Sequence, residues 1–137
     1  MSATTILKLY LASLLVCFGL DLLWLGVIAR GFYQHQLGAL LRPDVRWGPA
    51  VAFYLLFVVG LMVFVIVPAL DRGSVGRAIW SGALFGLVAY ATYDLTSLSL
   101  VRDFPAPVAV VDMAWGATVA ALVSAAGYGA GRWLTAT

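Results

Sequence analysis

Three aspartates stand inside apolar stretches of this chain: Asp21, Asp94 and Asp112. Aromatic and hydroxyl side chains accompany them: Trp24 beside the first, Tyr90, Tyr93, Thr96 and Ser97 around the second, Trp115 after the third. Carboxyls gathered in a poorly solvated place cannot all be ionised cheaply. Such sets pass protons, and acid/base pairs in enzymes are built in this way. Oxygen ligands of this kind also suit hard cations. A carboxylate at the centre of a membrane helix costs about 2.5–3.5 kcal/mol on insertion scales. A bond that merely ties two membrane helices together returns about 0.6 kcal/mol. Asp21, Asp94 and Asp112 are therefore the candidate catalytic residues. Trp24, Tyr54, Tyr90, Tyr93, Thr96, Ser97 and Trp115 are the candidate ligand contacts, and helix-locking by the aspartates is the alternative.

The elements that must position these residues follow from composition. The chain has 137 residues, of which 64% are hydrophobic and 10% charged, whereas soluble domains carry about 25% charged residues. That much apolar surface calls for lipid as the solvent. At roughly 20 residues per crossing, the length accommodates an all-α, four-transmembrane-helix bundle. Helices are expected at about 5–30, 49–70, 76–101 and 107–133, in a single transmembrane domain covering 1–137. Between the first two helices, residues 31–47 are too polar to cross. Phe32, Leu37, Leu40 and Leu41 form one side of a short interfacial helix there, with Tyr33 and Trp47 as interface aromatics. Arg42-Pro43-Asp44 ends that segment, and Asp71-Arg72-Gly73-Ser74 reads as a tight turn. The apolar run after Lys8 is longer than the roughly 7–15 residues of a signal-peptide core, so it is read as the first spanning helix.

Helix rise sets the depths. At about 1.5 Å per residue, Asp21 lies roughly 13 Å before Arg30, Asp94 about 12 Å before Arg102 and Asp112 about 13 Å after Asp103. In an antiparallel four-helix arrangement these three ends are on one side of the membrane, so the carboxyls share one level. Tyr54, eight residues past Arg46, reaches a similar depth. Gly82 and Gly86 have the spacing that lets membrane helices approach closely. Asp112, Gly116, Ala120 and Ser124 form a small-residue stripe at i+4 steps. Asp21-x-x-Trp24 and Asp112-x-x-Trp115 share a short pattern.

Arg30, Arg42, Arg46 and Arg102 rim the side on which the carboxyls lie, as headgroup anchors or as attractors of an anionic group, and His35 stands with them as a solvated interface residue or a pH-sensitive lid residue. His35 is the one histidine and Cys17 the one cysteine. Neither a haem-attachment pattern nor a metal-ligand motif is present, so no cofactor and no metal is assigned. A net charge of +2 spread over several loops is no footprint for nucleic acid. The partners expected are membrane lipids, a hydrophobic small-molecule ligand and a second copy of the chain. The basic residues divide evenly between the two sides, so the positive-inside rule leaves orientation open.

Asp21-Leu-Leu-Trp-Leu-Gly26, Arg30-Gly-Phe-Tyr33, Tyr90-Ala-Thr-Tyr-Asp-Leu-Thr96 and Val111-Asp-Met-Ala-Trp-Gly116 resemble the signatures of the bacterial membrane family called domain of unknown function 2177. The resemblance covers nearly the whole chain. It departs at Ser97, where the family pattern continues with Asn. It implies a compact four-helix protein of the bacterial inner (cytoplasmic) membrane, crossing several times, and it implies no reaction. Three functions stay open from the residues: a bundle that binds or modifies a lipidic or isoprenoid-like small molecule, an oligomeric proton-coupled transporter or channel component, and an accessory subunit packed on a membrane partner.

Overall fold

A computed structural model of the chain describes residues 1–136. It is all-α among the described residues, with four helices long and apolar enough to cross a membrane. We label them with the short helix between the first two: α1 (Ala3–Ile28), α2 (Arg30–Leu37), α3 (Trp47–Arg72), α4 (Val75–Leu100) and α5 (Ala106–Thr135). Large apolar side chains such as Leu15, Leu56, Phe64 and Val110 are exposed along the spans, as expected where lipid rather than water surrounds the bundle.

Ser2 starts α1, its hydroxyl accepting the Thr5 backbone N–H at 3.1 Å, which satisfies one of the free donors of the first turn. The expected helix to Arg30 ends earlier. Its last turn, Trp24–Ile28, is a wide π turn closed by the Ala29 N–H on the Trp24 carbonyl at 2.7 Å. Ala29 then breaks the helix, and α2 begins at Arg30. A second π turn, Met62–Ile66, lies within α3 just ahead of Pro68. Proline has no N–H and its ring presses on the carbonyl four residues earlier. The wide turn absorbs this, and α3 continues to Arg72.

Gly73 closes α3 at φ +63°, and Ser74 immediately caps α4 by accepting the Arg77 N–H at 3.1 Å. Two residues are thus enough to reverse the chain, which makes α3 and α4 antiparallel neighbours. Residues 101–105 turn it again into α5.

The most extensive helix contact is α4 on α5, followed by α1 on α5. Glycine makes the first possible. A Cβ on Gly82 would meet the Ser124 hydroxyl, and one on Gly86 would overlap the Gly116 carbonyl and the Ala120 side chain. The small-residue stripe of α5 is therefore the surface against which α4 lies. Beneath it, Leu9, Val58, Leu61, Ile66, Val119 and Val123 form the apolar core. Tight α4–α5 packing fixes Asp94 opposite Asp112, and α1 on α5 brings Asp21 to the same end.

Candidate functional site

The ends of α1 and α4 and the beginnings of α3 and α5 meet at one level, and the described polar contacts between carboxyls and other helices are made there. Asp21 is buried (5% exposed). One oxygen accepts the Trp115 indole N–H at 2.7 Å, and the other accepts a hydrogen bond from the Tyr54 hydroxyl. Both donors are neutral, so they fill the lone pairs of Asp21 without a countercharge.

Asp112 accepts from the Tyr33 hydroxyl at 2.8 Å, and Tyr33 in turn accepts the Trp24 indole N–H at 3.2 Å. Trp24 and Trp115 stack face to face, with centroids 4.6 Å apart and planes 6° from parallel. Each tryptophan of the two Asp-x-x-Trp patterns thus serves the aspartate of the other helix, Trp115 directly and Trp24 through Tyr33.

Asp94 differs. Its side chain is wholly buried (0% exposed), and neither oxygen meets a donor. The Asp112 carboxyl faces it within hydrogen-bonding reach. Two carboxyls at that separation form a hydrogen bond only when one carries a proton. Asp112 interacts with both of the others, through a close contact with Asp94 and through its charge alone with Asp21. Among the described residues no three carboxyl, thiol or imidazole groups converge as a metal site requires. The aspartates form a row.

The remaining candidates divide by helix face. Tyr90, Asp94 and Ser97 lie on the inward side of α4, but the Tyr90 ring packs on Phe53 and Phe57, at 6.0 and 5.9 Å between centroids, and against Gly116. Tyr93 and Thr96 are exposed, because steps of about 100° per residue carry them off the face that holds Asp94. Tyr93 sets its ring edge-on to Phe104 at 5.9 Å. With Ser97, Leu37 and Leu41 these two line a groove of about 260 Å³ between α2 and α4. Ser97 is one turn beyond Asp94 on α4, and Leu37 one turn beyond Tyr33 on α2, so the groove begins about one turn from the carboxyl pair, with neither acid in its lining. Arg30, His35, Arg46 and Arg102 are exposed on the connections at this end and donate to none of the three aspartates.

Tyr33 joins these contacts from a place that the sequence does not indicate. Expected among the interface aromatics, it turns inward and is half-buried. Burial pushes its phenol well above the usual tyrosine range; the Trp24 N–H partly offsets this and the Asp112 charge adds to it. The signal that pointed to it was its place in Arg30-Gly-Phe-Tyr33.

The family model described as predicted membrane protein (DUF2177) matches residues 6–129. The chain belongs to this family. The match takes in all three aspartates, both stacked tryptophans and Tyr33, so the DUF2177 region contains the whole site. No curated protein and no solved structure matches the chain. A family of predicted membrane proteins agrees with four candidate spans, and the chain is a membrane protein.

Proposed function

We propose that the DUF2177 chain binds an amphipathic, lipidic or isoprenoid-like small molecule, with its polar end at Asp94 and Asp112 and its tail in the groove between α2 and α4. The single observation that carries this reading is the Asp94 carboxyl, wholly buried with no donor at either oxygen. A buried acceptor without a partner costs about 1–3 kcal/mol, and a membrane makes no water available to reduce that cost. A fold that keeps such a group keeps it for something it receives.

The groove of about 260 Å³ is lined mainly by apolar and aromatic side chains, with Ser97 among them, which suits a hydrocarbon tail. α2 covers this end and is tied to the bundle by the Tyr33 bond to Asp112, so it acts as the lid through which a ligand enters. Asp94 and Asp112 would then exchange a proton with the bound molecule as base and acid. The setting proposed is the inner membrane of a bacterium.

Mass spectrometry of small molecules co-purifying with detergent-solubilised protein, wild type beside Asp94→Asn, tests the reading. A discrete compound present in the wild type and lost in the variant is the expected result. Bulk phospholipid alone in both samples would overturn it and turn attention to proton flux in liposomes, where the same row of carboxyls would serve transport.

A further inference from the structure

The unfilled valences of the site specify more than an amphiphile. We infer that the polar end received by Asp94 and Asp112 is a primary ammonium group on a hydrocarbon tail. This rests on the ligand-binding reading above and narrows it to one chemical class.

With both carboxyls ionised, the pair offers three acceptor atoms that take no donor among the described residues: both oxygens of Asp94, and the Asp112 oxygen not engaged by Tyr33. A primary ammonium carries three N–H donors and no acceptor. A hydroxyl brings one donor together with lone pairs that would face oxygens already rich in them.

Charge points the same way. Tyr33 is a neutral donor to Asp112, while Arg30, Arg46, Arg102 and His35 are exposed elsewhere at this end. Lys8 lies near the start of α1, some thirteen residues and several turns from Asp21. Among the described residues no cationic side chain donates to the Asp94–Asp112 pair. A buried carboxylate is tolerated when it is paired with a cation and hydrogen-bonded, and the ligand is left to supply both. A quaternary ammonium supplies charge without donors. A fatty carboxylate adds to the repulsion. Ser97, on the groove wall about one turn from the pair, is placed beside the first carbons of the tail, where Tyr93, Phe104 and Leu41 provide the apolar contact.

Primary ammonium groups in a membrane come from two sources, a free long-chain amine or an ethanolamine headgroup. The probes are dodecylamine, dodecanol and dodecyltrimethylammonium, measured by equilibrium dialysis against the full chain in phosphatidylcholine nanodiscs, with empty discs as background. Dodecylamine is expected to bind the wild-type chain about tenfold or more tighter than the other two, and to lose that margin in Asp94→Asn. Exciton coupling of the Trp24–Trp115 stack in circular dichroism reports that the variant keeps its fold. Asp112→Asn serves as the second variant, with the same loss expected.

Equal, Asp94-dependent binding of dodecanol would overturn the ammonium while leaving the amphiphile reading in place. Equal binding of the trimethylammonium would likewise overturn it, as charge without N–H donors would then suffice. No binding of any probe above empty discs would overturn both. Where dodecylamine binds as expected, repeating the measurement in phosphatidylethanolamine nanodiscs separates the sources. Competition by the lipid assigns the headgroup, and undiminished dodecylamine binding assigns a free amine.

Discussion

Trp115 on α5 gives its indole N–H to Asp21 on α1 at 2.7 Å, across a distance in sequence that spans most of the chain. Its partner in the stack, Trp24, gives its own N–H to the hydroxyl that serves Asp112. The two Asp-x-x-Trp patterns therefore work as one cross-brace, in which Trp115 donates directly to the acid of α1 and Trp24 reaches the acid of α5 through the Tyr33 hydroxyl. Stacking at 4.6 Å adds the attraction of two large π faces, about 0.5–1.5 kcal/mol beyond their burial.

Removing the donor while keeping a ring tests the brace. Trp115→Phe should lower stability by about 1–3 kcal/mol, the range for leaving a buried acceptor short of a partner. Reversible unfolding in mixed micelles measures it. Combined with Asp21→Ala, the loss should be smaller than the sum of the single losses, because the two changes remove the same bond. Simple additivity would show that the bond contributes nothing.

Asp94→Asn should behave in the opposite sense. The amide brings a donor to a place that has none, so it can bond to Asp112. Thermal stability without ligand should stay level or rise by up to about 1.5 kcal/mol equivalent, while ligand binding is lost. A clear fall in melting temperature would mark Asp94 as a helix-locking residue.

Tyr33→Phe should free α2 and leave the bundle intact. Amide exchange over Arg30–Leu37 should accelerate by about tenfold, the effect of losing roughly one hydrogen bond, while α4 and α5 keep their protection. In the wild type the phenol is raised above the tyrosine range, so its contribution has a definite sign. The bond is fully present below about pH 10, where a free tyrosine titrates, and is lost only as pH rises toward the higher value of Tyr33. Ultraviolet titration, wild type minus Tyr33→Phe, should show no phenolate from this residue at pH 10.

Gly86→Ala should separate α4 from α5. The new Cβ would overlap the Gly116 carbonyl, and backbone cannot move aside as a side-chain end can. A loss of about 1–3 kcal/mol or more is expected. Gly129→Ala is the control, since a Cβ there has no neighbour within 4 Å and alanine favours the helix by up to about 1 kcal/mol. Similar losses in both would show that propensity or lipid contact, and not the α4–α5 seam, decides the outcome.

The spans and the common depth of the aspartates were legible because both depend on local quantities. Hydropathy marks the crossings, and a constant rise per residue converts position into depth; Tyr54 was reached by the same arithmetic and donates to Asp21. Rotation about the helix axis was half-legible. Tyr90, Asp94 and Ser97 share a face by spacing, whereas Tyr93 and Thr96 were drawn into the candidate set by proximity in sequence, which one residue's rotation undoes. The direction of Tyr33 was hidden, because it depends on where the chain turns after α1, and that turn is set by the π turn at Trp24–Ile28. Pro68 in α3 is accommodated by a second such turn, and composition shows neither.

The wide turn at Trp24–Ile28 works as a spacer between two angular settings. It holds about one residue more than an ordinary turn. Deleting any one of Leu25, Gly26, Val27 or Ile28 would let the segment relax to ordinary α geometry with nearly the same rotation, because one residue fewer then completes the turn. Inserting a further residue leaves no such slack and would swing all that follows by about 100° around the helix axis. Tyr33 would then leave Asp112, although every side chain of the site remained in the sequence. Chain length at this point, more than the chemical type of the residues that fill it, is what keeps the phenol aimed at the acid.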